Sequence, residues 1–113
     1  MIESIILSFL GETELDAPIY MEIPSRPPEE FYIIENTGQR MTDHVRTTTL
    51  AVQSYAQSLE RAADLAYDID QVMLNRLVEL DEVAGVRVNS VHNFTDPSTK
   101  QYRYQGVYVV THY

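Results

Sequence analysis

The spacing of apolar and polar residues changes period along this chain, and each change marks an element. From Thr47 to Tyr55 the positions alternate and are rich in β-branched residues. Leu50 and Val52 fall on one face and Ala51 and Tyr55 on the other, which predicts a strand. From about Gln57 the period becomes helical. Leu59, Ala62, Ala63, Ala66, Ile69, Val72 and Met73 recur three or four apart and form one stripe on a helix of about five turns. Ser58 stands where an N-cap belongs, and the helix ends between Asn75 and Asp81. At the N-terminus, Ile2, Ile5, Ile6 and Phe9 predict a short amphipathic helix over Met1 to Leu10, stopped by Gly11.

The remaining apolar runs are short and read as strands. Ala17 to Ile23 is one, ended by Pro24. The connector Ser25 to Glu30 (SRPPEE) follows, its prolines removing backbone donors. Phe31 to Glu35 is apolar almost throughout, so this strand is expected to be central or covered on both faces. Asn36 to Arg46 is polar, contains Gly38, and reads as a loop. Gly85 closes the connection after the long helix. Val86 to Phe94 and Gln101 to His112 are strands around a turn at Asp96 to Thr99, and so form a hairpin. A long apolar stripe must be buried, and the flanking strands are the candidates for covering it. The expected fold is α+β: a mostly antiparallel sheet of about four or five strands, with the long helix and the short N-terminal helix packed on one face. No repeat or long linker interrupts residues 1–113, so a single domain is expected.

Charge narrows the function. The chain has 17 acidic and 8 basic residues, a net charge of −9. The basic residues are scattered, which argues against a nucleic-acid groove or an anionic membrane surface, because both draw affinity from clustered Lys and Arg. There is no cysteine, hence no disulfide and no thiolate metal site. Glu3 precedes the apolar run Ile5-Ile6-Leu7 where a signal peptide would carry a basic residue, and no run reaches the ~20 apolar residues of a membrane span. A soluble protein acting where it is made is the expectation.

Candidate chemistry is sparse. Glu60, Asp64 and Asp68 share one helix face at successive fourth positions. Such oxygens suit Mg²⁺ or Ca²⁺, but the expected reading is a solvated acidic face, and the row is a weak signal for a site. His44, His92 and His112 have no metal-ligand spacing and read as surface or edge histidines. Nothing resembles a nucleophile elbow, an ordered triad or a phosphate loop, so no catalytic, cofactor or metal residue is assigned. Tyr102, Tyr104 and Tyr108 share one face of the last strand and read as either core or a protein–protein contact. The PxxP match at Pro24 to Pro27 is too short to carry meaning.

Three stretches carry a resemblance: PIYMEIPSRPPEEFYIIENTG (Pro18 to Gly38), LAVQSYAQSLERAADLA (Leu50 to Ala66) and RYQGVYVVTHY (Arg103 to Tyr113). In this order, and over most of the chain, they resemble the tail terminator (tail completion, head–tail joining) proteins of long-tailed bacteriophages. The resemblance implies a sheet flanked by helices and a homo-hexameric ring at the head-proximal end of the tail. Its partners would be the tail tube protein and the head connector or stopper, with DNA passing through unbound. Such a ring is assembled in the host cytoplasm and located in the virion. A closed ring needs a heterologous interface. The implied contact residues are Arg26, Pro27 and Pro28 in the connector, with the three tyrosines of the last strand. To these the family's mobile loop adds Gln39, Arg40, Met41, Asp43 and His44. Glu60, Asp64 and Asp68 would then form an acidic surface facing the DNA channel. The alternative is a small regulatory domain or enzyme that binds a ligand or cation on that acidic helix face.

Overall fold

A computed structural model describes residues 2–13 and 15–113. In chain order it contains α1 (Ile2–Gly11), β1 (Ile19–Tyr20), β2 (Phe31–Thr42), β3 (Val45–Ala56), α2 (Leu59–Asn75), a 3-10 turn at Leu77–Glu79, β4 (Val83–Asn93) and β5 (Tyr102–His112). The strands form one sheet in the order β1-β2-β3-β5-β4. Only β1 and β2 run parallel; the other neighbours are antiparallel. The α+β expectation holds, with both helices on one face of the sheet.

The helices sit there because their apolar stripes and the alternate positions of the strands form a single core. Ile2, Ile6 and Leu10 of α1 and Ala62, Leu65, Ile69 and Met73 of α2 are buried with Tyr32, Ile34, Leu50, Val52, Tyr108 and Val110 from the sheet. These strand residues share one pleat face, since directly opposed residues of antiparallel neighbours point the same way. Two tyrosines tie α2 to the sheet from either side. Tyr32 donates its hydroxyl to the Leu65 carbonyl at 3.0 Å, and Tyr108 donates to Asp70 Oδ1 at 2.7 Å. The Ser58 side chain accepts the Arg61 N–H at 3.2 Å and starts α2 as the expected N-cap. The stripe needs one correction. Leu65, absent from the expected set, is fully buried, whereas Leu59 in the first turn is exposed.

Two boundaries also differ from expectation. The strand expected over Ala17 to Ile23 is reduced to Ile19–Tyr20, confined between Pro18 and Pro24, with only Tyr32 and Ile33 as partners. Residue Gly85 lies inside β4 at a bulge rather than closing the connection before it. The N-terminal helix is present from Ile2, and its expected start at Met1 lies outside the described residues.

The largest correction concerns Asn36 to Arg46, which is not a loop. β2 runs on to Thr42 and β3 starts at Val45, so the two strands form a ribbon closed by the two residues Asp43 and His44. Both have positive φ, 51° and 69°. That is the type I′ geometry whose twist matches paired strands. A shift in register between Asn36 and Gly38 bulges the ribbon, and the Asn36 side chain accepts the Gly38 N–H at 3.0 Å. Phe31 to Ile34 are covered on both faces, as expected. Tyr32 and Ile34 enter the main core, while Phe31 and Ile33 pack with Tyr55 on the other face.

Candidate functional site

Every residue from Glu35 to His44 is exposed. This part of the ribbon therefore contributes almost nothing to its own core. β1 covers only Tyr32 and Ile33, so among the described residues the outer edge of β2 from Ile34 onward has no strand beside it. Gln39, Arg40, Met41, Asp43 and His44 all lie here, and Met41 is 64% exposed. They reach solvent on a paired ribbon, which holds them in fixed register as a loop would not.

The sequence-selected groups fall in separate places. Arg26, Pro27 and Pro28 are exposed at the opposite end of β2, where Pro27 and Pro28 line a shallow recess with Phe31 and Tyr55. Glu60 and Asp64 are exposed on the back of α2, and Asp68 is half-buried. Of the three tyrosines, Tyr108 is core: it is 1% exposed and bonded to Asp70, so it is not available as a contact. Burial first, and then the Asp70 carboxylate, keep its phenol protonated far above the usual range. Tyr32, held by burial, behaves the same way. Tyr102 and Tyr104 are half-buried against the main core from β5.

The acidic row on α2 does not build a cation cage. Asp64 lies 3.7 Å from Arg61, whose guanidinium also grips Glu30 with two bonds of 2.8 and 2.9 Å. That grip holds the Glu30 carboxyl below its usual range and raises Arg61. Among the described residues, no group of three or more His, Asp or Glu side chains is gathered to hold a metal ion.

One histidine departs from the sequence expectation. His112 is buried rather than on the surface, and its Nε2 lies 2.7 Å from Thr48 Oγ1. Its Nδ1 faces the Tyr113 carbonyl at 3.3 Å, an arrangement that suits a proton on Nδ1 and a hydroxyl bond from Thr48 to Nε2. Thr48 has no exposed surface, so no substrate carbonyl reaches this hydroxyl. The pair ties β3 to β5.

The helix-free face of the sheet carries two features that sequence reasoning missed. At one end, Phe31 stacks on Tyr55 at 4.5 Å, and Arg103 lies 4.6 Å over Phe94 while donating to the Phe94 carbonyl and the Tyr55 hydroxyl. At the other end a cleft of about 460 Å³ is lined by Gly38, Gln39, Arg40, Thr47, Thr49, Arg87, Asn89 and Val109. The register explains this lining. Gly38, Thr49, Val109 and Arg87 form one row across four strands, and Arg40, Thr47 and Thr111 form the next. Only the extension of β2 through Asn36 to Thr42 creates these rows, and the loop expectation concealed them.

No helix among the described residues is long and apolar enough to cross a membrane. A scan against protein-family models finds no match to this chain, and a search of curated proteins finds none either.

Proposed function

We propose that this chain is a structural ring subunit of the tail-terminator class. In this role it caps the head-proximal end of a phage tail tube, stops tube polymerisation and presents a surface to the head connector. The observation that carries the reading is the outer strand of the β2–β3 ribbon. It is exposed on both faces from Glu35 to His44, open along one edge, and held in register by a two-residue turn. A polar strand segment whose residues Glu35 to His44 are all exposed in its own subunit gains a rationale if a neighbour or partner buries it. It also falls where the resemblance implies the family's mobile loop. The net charge of −9 suits a channel through which DNA passes, because like charges repel and phosphate contacts yield no counterion release.

The test is a matched trim of the ribbon. Residues Met41 to Arg46 are replaced by Asn-Gly, which joins the paired Arg40 and Thr47 through a tight turn. The trimmed protein should keep its thermal midpoint within a few degrees, since every removed residue is exposed or only half-buried. Supplied in place of the native gene in its source genome, it should leave full heads separate from tails of irregular, overlong length. Normal virion yield from the trimmed gene would refute the ribbon's role. Normal virions with the whole gene deleted would refute the ring reading itself.

A further inference from the structure

We infer that the arginine cleft on the helix-free sheet face is a docking site for the acidic back of α2 in a second copy of this chain. The inference rests on the ring reading only for how many copies close the assembly.

The cleft carries the inference. Acidic residues outnumber basic ones by more than two to one, yet Arg40 and Arg87 are in none of the ion pairs among the described residues. Arg26, Arg46 and Lys100 are likewise in none of these pairs, but Arg40 and Arg87 are the two cations that line the cleft. Arg61 holds Glu30, Arg76 holds Glu79 at 2.6 Å, and Arg103 is spent on an aromatic face and a carbonyl. Arg87 donates only to the neutral amide of Asn89, at 3.0 Å. The one carboxylate on the same pleat face, Glu35, stands a row away and pairs with neither arginine. Two guanidinium groups flanking threonine hydroxyls form a concave donor surface, and donors of that kind select carboxylate or phosphate oxygens.

Spacing selects the occupant. Arg40 and Arg87 stand on β2 and β4, three strand intervals and one row apart, which places their backbones about 16 Å from each other. Glu60 and Asp68 are eight residues apart on one helix, a rise of about 12 Å. A helix laid across the cleft would bring one acid to each arginine, with Asp64 over Thr47 and Thr49 between them. The cleft and the acidic row are on opposite sides of the sheet, so no molecule can satisfy itself. The contact is heterologous, and copies must join face to back into a ring or an open stack.

Both copies carry −9, so salt relieves long-range repulsion while it weakens the local pairs, and salt dependence alone decides nothing. Exchange of charge decides. One variant carries Arg40→Glu with Arg87→Glu; the other carries Glu60→Arg with Asp68→Arg. Circular dichroism melts establish that each folds. In sedimentation at low ionic strength, the unsubstituted chain should form oligomers and each variant alone should associate at least tenfold more weakly. An equimolar mixture of the two should regain assembly, with the variants alternating in native mass spectra. Wild-type-like assembly of either variant, an unresponsive mixture, or a wild-type chain that stays monomeric at millimolar concentration would overturn the inference. So would a cleft variant that assembles normally but loses affinity for duplex DNA, which would make the cleft a phosphate site. A cleft variant that still joins heads to tails removes this interface and leaves the ring reading standing.

Discussion

Gly106 sits in the middle of β5, where a glycine ordinarily weakens a strand, and the Tyr108 ring explains its presence. A Cβ built on Gly106 would lie 2.7 Å from Tyr108 Cε2 and 2.8 Å from its hydroxyl oxygen. The ring lies along its own strand, over the bare backbone, and this path carries the hydroxyl to Asp70 at 2.7 Å. In Gly106→Ala the ring must either stay, compressed, or swing away and release the carboxylate. Overpacking of a core site costs about 1–3 kcal/mol, and losing a hydrogen bond to a charged group costs about 1.5–3 kcal/mol. Alanine recovers about 0.5–1 kcal/mol by restricting the unfolded chain. The net destabilisation expected is about 0.5–2.5 kcal/mol. With an unfolding entropy of about 2.1 cal/mol/K per residue, the thermal midpoint should fall by about 2–10 °C. The assay is a calorimetric melt of Gly106→Ala, repeated in a Tyr108→Leu background that lacks both ring and hydroxyl. In that background the alanine should cost less than about 0.5 kcal/mol, because the coupling partner has gone. An unchanged or raised midpoint, or an equal cost in both backgrounds, would refute the assignment of Gly106 to the close approach of Tyr108.

Three further outcomes follow from the described geometry. Ser58→Ala should lower stability by about 1 kcal/mol while Ser58→Asp preserves it, read from urea midpoints, because the hydroxyl satisfies the Arg61 N–H. Replacing Asp43-His44 with Asn-Gly should raise stability by about 0.5–1 kcal/mol, since both residues occupy positive φ; a lowered midpoint would contradict the turn assignment. Glu30 is held below its usual range by Arg61, so its contribution is present above the unfolded carboxylate pKa and is lost as pH falls through the lower folded value. The stability gap between the native chain and Glu30→Gln should therefore be widest near neutral pH and close in acid. A gap that is constant with pH would contradict this.

The long helix was legible because the period changes sharply at Ser58 and the apolar stripe has few interruptions. Leu65 escaped because alanines already filled a continuous stripe, and volume rather than spacing decides which neighbours reach deepest. The ribbon escaped for two physical reasons. It is polar on both faces, so no alternation marks it as a strand, and its turn reaches positive φ with Asp-His instead of a glycine. The cleft followed the ribbon into obscurity, since Arg40 and Arg87 meet only through a four-strand register. His112 read as an edge histidine because its strand closes the described chain, yet β5 lies between β3 and β4 and carries it inside. Tyr108 was open between core and contact, and a depth of packing invisible in spacing places it in the core.

That interior position of β5 has a kinetic consequence. The sheet is two local ribbons, β2–β3 and β4–β5, each able to zip from its own turn. They are joined by one seam, which pairs Ala56 with Tyr102 at one end and Arg46 with His112 at the other. Closing the seam traps α2 and its loops between distant chain segments, and loop entropy must be spent before any seam contact rewards it. The folding barrier therefore belongs to the seam. Substitutions along β3 and β5 should slow folding, whereas those at the ribbon tip should act on unfolding and leave the rate of reaching the native state almost untouched.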